Sequence, residues 1–153
     1  MATVLGSLAA AKVAWPQTLV KPSLQGADIQ TFISTYTVPV GGQPVGDIIS
    51  WGYLPFGARL MPGSKMYFAA GTASTTINLG DAVTPARYMA ATSVAAAGSA
   101  AIEAQFANGA LADVTVVKPG DATDTSELRS VVAGATLLAG QVITLVVQYA
   151  GQN

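Results

Sequence analysis

From Thr35 to Leu60 the chain alternates short β-forming runs with residues that stop them, a rhythm that points to an all-β fold. Thr35, Tyr36, Thr37 and Val38 are β-branched or aromatic, the side chains that suit a pleated, half-buried surface. Pro39 lacks the N–H that a ladder needs, and Gly41-Gly42 follows it, so the run ends there. Ile48 to Tyr53 resumes the strand pattern. In Leu54-Pro55-Phe56-Gly57 the proline suits the fixed φ of a turn and the glycine a positive φ, and a third strand then leads to Leu60. No residue in this stretch looks catalytic.

The same cadence extends along the chain. From Ile29, Phe32, Ser34, Tyr36 and Val38 fall on one side of a strand and Thr31, Ile33, Thr35 and Thr37 on the other; neither side is charged, so both are expected to be covered. Pro62-Gly63 marks a bend, Met66 to Ala70 a strand, and Thr75 to Leu79 another, closed by Gly80-Asp81. Met89 to Ala112 is ambiguous, because 11 of its 24 residues are alanine, the best helix former. It lacks a stripe of large apolar residues at helical spacing, and Gly98-Ser99 interrupts it. Two short strands near Arg87–Ser93 and Ala100–Phe106 are expected, with a helix between strands as the alternative. Val114 to Val117 reads as a short strand, and Glu127–Leu138 with Gln141–Ala150 as a hairpin turning at Ala139-Gly140. In its second arm Ile143, Leu145, Val147 and Tyr149 are assigned to the core. Strands spaced this way indicate an antiparallel β-sandwich or jelly roll over residues 29–153. Residues 1–28 show no sustained period and read as an extended N-terminal arm, whose first 25 residues at about 3.3 Å each reach some 80 Å.

Composition closes several functional routes. With 153 residues the chain fits one domain large enough to bury a normal core, and the absence of cysteine excludes disulfides and thiolate chemistry. Histidine is also absent, which removes the usual general base and metal ligand. Only 10% of residues are charged against about 25% in an ordinary soluble domain, so the surface is neutral and suited to packing against a partner. Between Met66 and Ile102 the only charges are Asp81 and Arg87, and that span is the expected partner-covered sheet. A net charge of −1 without a basic stripe argues against nucleic acid. No apolar run approaches the roughly 20 residues that span a bilayer, and no basic residue precedes the mildly apolar N-terminus as a secretory signal requires. The expectation is a protein made and used without export, with no membrane partner.

The candidate sites are weak. Asp121, Asp124 and Glu127 offer oxygen ligands, but their spacing is not that of an EF-hand loop and a solvated loop accounts for them better. Asp47, Asp81 and Asp113 follow glycine or alanine in turns, where aspartate bonds its own backbone. Gly41-Gly42-Gln43-Pro44-Val45-Gly46 lacks the Lys-Ser/Thr of a phosphate loop and precedes a strand. Without histidine a serine nucleophile would need Lys12, Lys21, Lys65 or Lys118, and no Ser-x-x-Lys spacing occurs. Trp15, Trp51, Tyr53 and Phe56 could stack on a sugar, though aromatics beside strands usually belong to the core. No catalytic, cofactor or metal residue is assigned, and an enzyme is not expected.

Several pieces in order carry a resemblance: Thr35-Tyr-Thr-Val-Pro, Gly46-Asp-Ile-Ile, Leu54-Pro-Phe-Gly-Ala-Arg-Leu, Leu79-Gly-Asp, Ala86-Arg-Tyr-Met-Ala-Ala, Val132-Ala-Gly-Ala-Thr-Leu and Ala139-Gly-Gln-Val-Ile-Thr-Leu-Val-Val-Gln-Tyr-Ala. Over Ile29 to Ala150 the chain resembles small virion proteins of tailed bacteriophages, specifically the jelly-roll capsid decoration, or cement, proteins. The resemblance implies a structural protein on the capsid exterior that bridges major capsid protein subunits and uses no cofactor, made in the cytoplasm of the phage host; the low-charge face adds the expectation of self-association as a dimer or trimer, between which the sequence does not choose. The rival expectation is a tail-fibre or spike module that binds a host glycan through exposed aromatics.

Overall fold

The computed structural model describes residues 29–104 and 125–151. The N-terminal arm, the strand expected at 114–117, and Phe106 at the end of the second alanine-rich strand lie outside them. Nine strands are described: β1 (Ile29–Thr37), β2 (Ile48–Tyr53), β3 (Arg59–Leu60), β4 (Lys65–Phe68), β5 (Thr76–Leu79), β6 (Met89–Ser93), β7 (Gly98–Ala101), β8 (Glu127–Ala133) and β9 (Val142–Ala150). They form two antiparallel sheets packed as a sandwich. Sheet I runs β1-β9-β4-β7, with β3 paired to β9 beyond the end of β4, and sheet II runs β2-β8-β5-β6. This is jelly-roll order, in which the chain repeatedly crosses from one sheet to the other. The alanine-rich segment forms strands over 89–101, because each edge strand there joins a ladder that large side chains elsewhere already hold in place.

β9 is the central element. It pairs with β1 along all nine residues and with β4 on its other side. Period-2 alternation turns Ile143, Leu145 and Val147 inward, where each is fully buried, and Tyr149 packs at the margin of the same core. Leu60 and Met66 of sheet I meet Trp51, Ile77, Leu79 and Leu128 of sheet II. Complete burial of an aliphatic side chain of this size stabilises the fold by about 1.5–3 kcal/mol.

The expected hairpin from Glu127 to Ala150 is corrected by the structure. β8 pairs with β2 and β5 in sheet II, whereas β9 belongs to sheet I. The turn expected at Ala139-Gly140 is present, with the Gln141 N–H bonded to the Leu138 carbonyl (3.0 Å), but it ends a corner between sheets: Gly134 has φ +76°, and Leu137 bridges to Gln43 and is buried. A Cβ on Gly134 would lie 2.1 Å from the carbonyl oxygen of Ser74, so only glycine lets the chain pass there. The three strands between Thr35 and Leu60 are likewise found where expected, yet they alternate between sheets I, II and I.

At one end of the sandwich a buried glutamine ties crossovers together. Gln141 Nε2 donates to the carbonyls of Ala69 (2.8 Å) and Val94 (3.1 Å), which follow β4 and β6. Amide bonds replace water for carbonyls that the crossovers remove from solvent.

Candidate interaction surface

The polar residues picked out in the sequence are committed to structure. Asp81, 1% exposed, accepts the N–H groups of Val83 (2.8 Å) and Thr84 (2.7 Å) on Oδ1 and the guanidinium of Arg87 on Oδ2. The two charges between Met66 and Ile102 therefore neutralise each other in one loop. Beside them Tyr88 is fully buried, and its hydroxyl has no partner among the described residues. Burial first, and the Asp81 carboxylate second, hold this phenol well above its usual range, with Arg87 opposing. Asp47 accepts from Gln43 Nε2, and Gln43 in turn accepts the hydroxyl of Tyr36, whose ionisation is pushed up by burial and by Asp47. The Gly41–Gly46 loop is thus a β1–β2 connection held by side chains, with Gly42 N–H bonded to the Pro39 carbonyl (3.0 Å).

Glu127 pairs with Arg129 and accepts the hydroxyl of Ser50. Lys65 faces solvent opposite Val146 and Ala101, away from any serine in its row. No group of three metal-ligating side chains occurs among the described residues. Asp113, Lys118, Asp121, Asp124, Lys12, Lys21 and Trp15 lie outside them.

The aromatics divide. Trp51, the extra residue of a β-bulge between Ser50 and Gly52, is core: its ring meets Tyr36 edge-on at 6.4 Å, and Nε1 donates to Ser130 Oγ (2.8 Å). Tyr53 and Phe56 are 64% and 61% exposed, contrary to the expectation that strand aromatics belong to the core. The bulge and the turn after it direct them outward.

The two outer faces differ in chemistry. On sheet I the ladder registers set Thr35, Thr144, Tyr67 and Ser99 in one row and Ile33, Val146, Lys65 and Ala101 in the next. Thr37 with Val142 and Thr31 with Gln148 extend it on either side. Lys65 is the single charge in these rows. Thr35 and Thr144 share a hydroxyl hydrogen bond of 3.0 Å, so even the polar atoms are partly satisfied within the face. The outer face of sheet II instead carries the Glu127–Arg129 ion pair and Asn78, whose Oδ1 accepts the Val131 N–H (2.8 Å). The expected partner-covered span from Met66 to Ile102 is corrected: β4 and β7 lie in sheet I, β5 and β6 in sheet II, so it forms no single face. The neutral face is assembled mainly from β1 and β9, distant in sequence. An uncharged alternation in each strand was visible, but their pairing was not.

No protein-family model matches this sequence, and no curated protein matches it. Among solved structures the chain is similar to one in the cyanophage Pam1 capsid asymmetric unit, with a TM-score of 0.61 and 20% identity over 82% of this chain and 86% of that one. It is also similar to a chain in the capsid of Ralstonia phage GP4, with a TM-score of 0.55 and 21% identity over 88% and 92% of the two chains. The likeness is one of fold. In both cases it covers more than four-fifths of each chain, so those chains are of about this length.

Proposed function

We propose that the protein is a non-enzymatic capsid decoration protein, which binds the outer surface of an assembled phage capsid and bridges neighbouring major capsid protein subunits. The observation that carries this reading is the likeness of fold, over more than four-fifths of the chain, to similarly sized chains in two phage capsids. The neutral outer face of sheet I supports it, because Thr, Ile, Val and Tyr side chains can be buried against a partner without desolvating a charge apart from Lys65. Residues 1–28 extend the grip as an arm that adds a strand to a neighbouring subunit.

Binding of this kind depends little on ionic attraction, so it persists in high salt. The test is quantitative mass spectrometry of purified capsids, before and after a high-salt wash. Hundreds of copies per capsid, retained after washing, are expected. A handful of copies would overturn decoration. It would favour a tail-fibre or spike module that stacks a glycan on Tyr53 and Phe56, the reading their exposure supports.

A further inference from the structure

β1 is an edge strand of unusual exposure. Among the described residues no strand pairs with its second side. It is nine residues long, regular in register throughout, and free of proline, and the chain carries no charge from Ile29 to Gly46. Natural edges are usually kept short, bulged, charged or interrupted by proline, since an open edge is a template for another strand. The other three edges follow that practice. β7 has four residues, β2 carries the bulge at Trp51, and the short β6 pairs irregularly with β5.

The direction of the backbone groups on β1 is fixed by its last bonds. Val38 N–H donates to Gln141 (2.9 Å) and the Val38 carbonyl accepts from Gly140 (2.9 Å), so Val38 turns its polar backbone toward β9. Strand alternation then turns those of Tyr36, Ser34, Phe32 and Gln30 the same way. The N–H and C=O groups of Ile29, Thr31, Ile33, Thr35 and Thr37 point to the open edge.

We propose that two copies of this chain join through their β1 edges, antiparallel, about a two-fold axis at Ile33, which merges their sheets I into one continuous sheet. A second copy is the occupant that this edge fits best, because the strand is self-complementary. With the axis at Ile33, Ile33 meets Ile33 of the other copy, Thr31 meets Thr35, and Ile29 meets Thr37. These are apolar and threonine pairs of the kind that stabilise sheets, and no like charges oppose. The interface is isologous and closes as a dimer rather than growing into a fibre. Ile29 and Ile33, 59% and 66% exposed, become covered, and the neutral outer faces of the two copies align into one surface. The inference stands on the edge itself and does not require that the partner of that surface be a capsid.

The test uses the full chain in analytical ultracentrifugation at micromolar concentrations. Wild type is expected to sediment as a dimer. Ile33→Lys and Ile33→Glu, each of which sets like charges opposite each other, are expected to be monomeric alone and to recover the dimer when mixed. Thr35→Pro removes an N–H that faces the open edge and no backbone bond to β9, giving up only the exposed Thr35–Thr144 hydroxyl bond, so it is expected to keep the circular dichroism of the fold, with a melting point no lower than that of Thr35→Val, while dissociating the dimer. A monomeric or trimeric wild type would overturn the proposal, as would dimers that persist in Ile33→Lys or Thr35→Pro. Failure of the mixed variants to re-associate would do so equally.

Discussion

The indole N–H of Trp51 donates to the hydroxyl of Ser130 across β2 and β8, at 2.8 Å, with both residues buried. The β-bulge that makes Trp51 an extra residue in its strand turns the large ring inward, and the serine supplies the acceptor that a buried indole needs. Ser130→Ala leaves that donor without a partner in the core, at a cost of about 1–3 kcal/mol in unfolding free energy. Ser130→Thr keeps the hydroxyl and is expected to recover most of the loss. Urea denaturation followed by far-ultraviolet circular dichroism reads both, and an unchanged midpoint for Ser130→Ala would refute the role of this bond.

Tyr88 makes a pH-dependent counterpart. Its hydroxyl is buried and unpartnered among the described residues, and burial with Asp81 raises its folded-state pKa above the unfolded value near 10. The raised value favours the neutral, protonated phenol in the folded state. The stability linked to that proton is therefore present below about pH 10 and is lost as pH rises above it. Tyr88→Phe keeps the ring and removes the group that titrates, so it is expected to be near neutral at pH 7 and to flatten the alkaline loss of stability. Denaturation midpoints at pH 8 and pH 11 for the two proteins check this. Equal alkaline loss in both would show that Tyr88 is not its source.

Much of this fold is legible from the sequence. The strands at Ile48–Tyr53 and Val142–Ala150 were marked by alternation and by their flanking turns, and the inward set Ile143, Leu145 and Val147 follows from period two alone. What the sequence conceals is which strand pairs with which. Ala139-Gly140 resembles a hairpin turn locally, yet the adjacent Leu137 buries its side chain and Gly134 takes a left-handed conformation, and those are tertiary demands. The candidate surface was hidden for the same reason. Low charge between Met66 and Ile102 is real, but Asp81 and Arg87 cancel locally and the span divides between sheets. The neutral face arises from register, in contacts such as Thr35 with Thr144, more than a hundred residues apart.

The corner at Gly134 supports a prediction about backbone space. Gly134→Ala places a side chain on a residue at φ +76°, which costs about 1–2 kcal/mol for the left-handed conformation. The contact with the Ser74 carbonyl adds to that, because backbone on both sides must shift. Gly140, also at positive φ, has nothing within 4 Å of an added Cβ. Gly140→Ala is therefore expected to lose only the conformational part. Thermal melts of the pair, with Gly134→Ala lower, separate crowding from strain.

Gln141 offers a fourth test, in which the side-chain amide decides the outcome. Its Nε2 reaches two carbonyls on different crossovers, and Gln141→Leu leaves the buried Val94 carbonyl and the half-buried Ala69 carbonyl without that donor. The abandoned buried acceptor costs about 1–3 kcal/mol, partly offset because Gln141 Oε1 is itself buried without a partner among the described residues, so a net loss of stability is expected. Hydrogen exchange at residues 69–72 and 94–95 should rise more than at β9. Uniform acceleration across the chain would argue that the glutamine acts on global packing alone.

The two outer faces predict an asymmetry in binding that stability measurements do not reveal. Thr144 stands between Thr35 and Tyr67 at the middle of the neutral face, so Thr144→Glu introduces a carboxylate where a partner would have to strip its water. Its side chain projects to solvent in the free protein, so folding is expected to change little. Capsid occupancy should fall at least tenfold, equivalent to about 1.4 kcal/mol or more of lost binding. On the opposite face, replacing Glu127 and Arg129 together by glutamine removes a partly buried ion pair, in which the side chains are 35% (Arg129) and 12% (Glu127) exposed, and touches nothing in the proposed interface. That variant should decorate as wild type does. Titration of each protein onto undecorated capsids, followed by pelleting, gives both numbers. Loss of occupancy in the Glu127/Arg129 variant with retention in Thr144→Glu would assign docking to sheet II, and the neutral face would then have to serve some other contact.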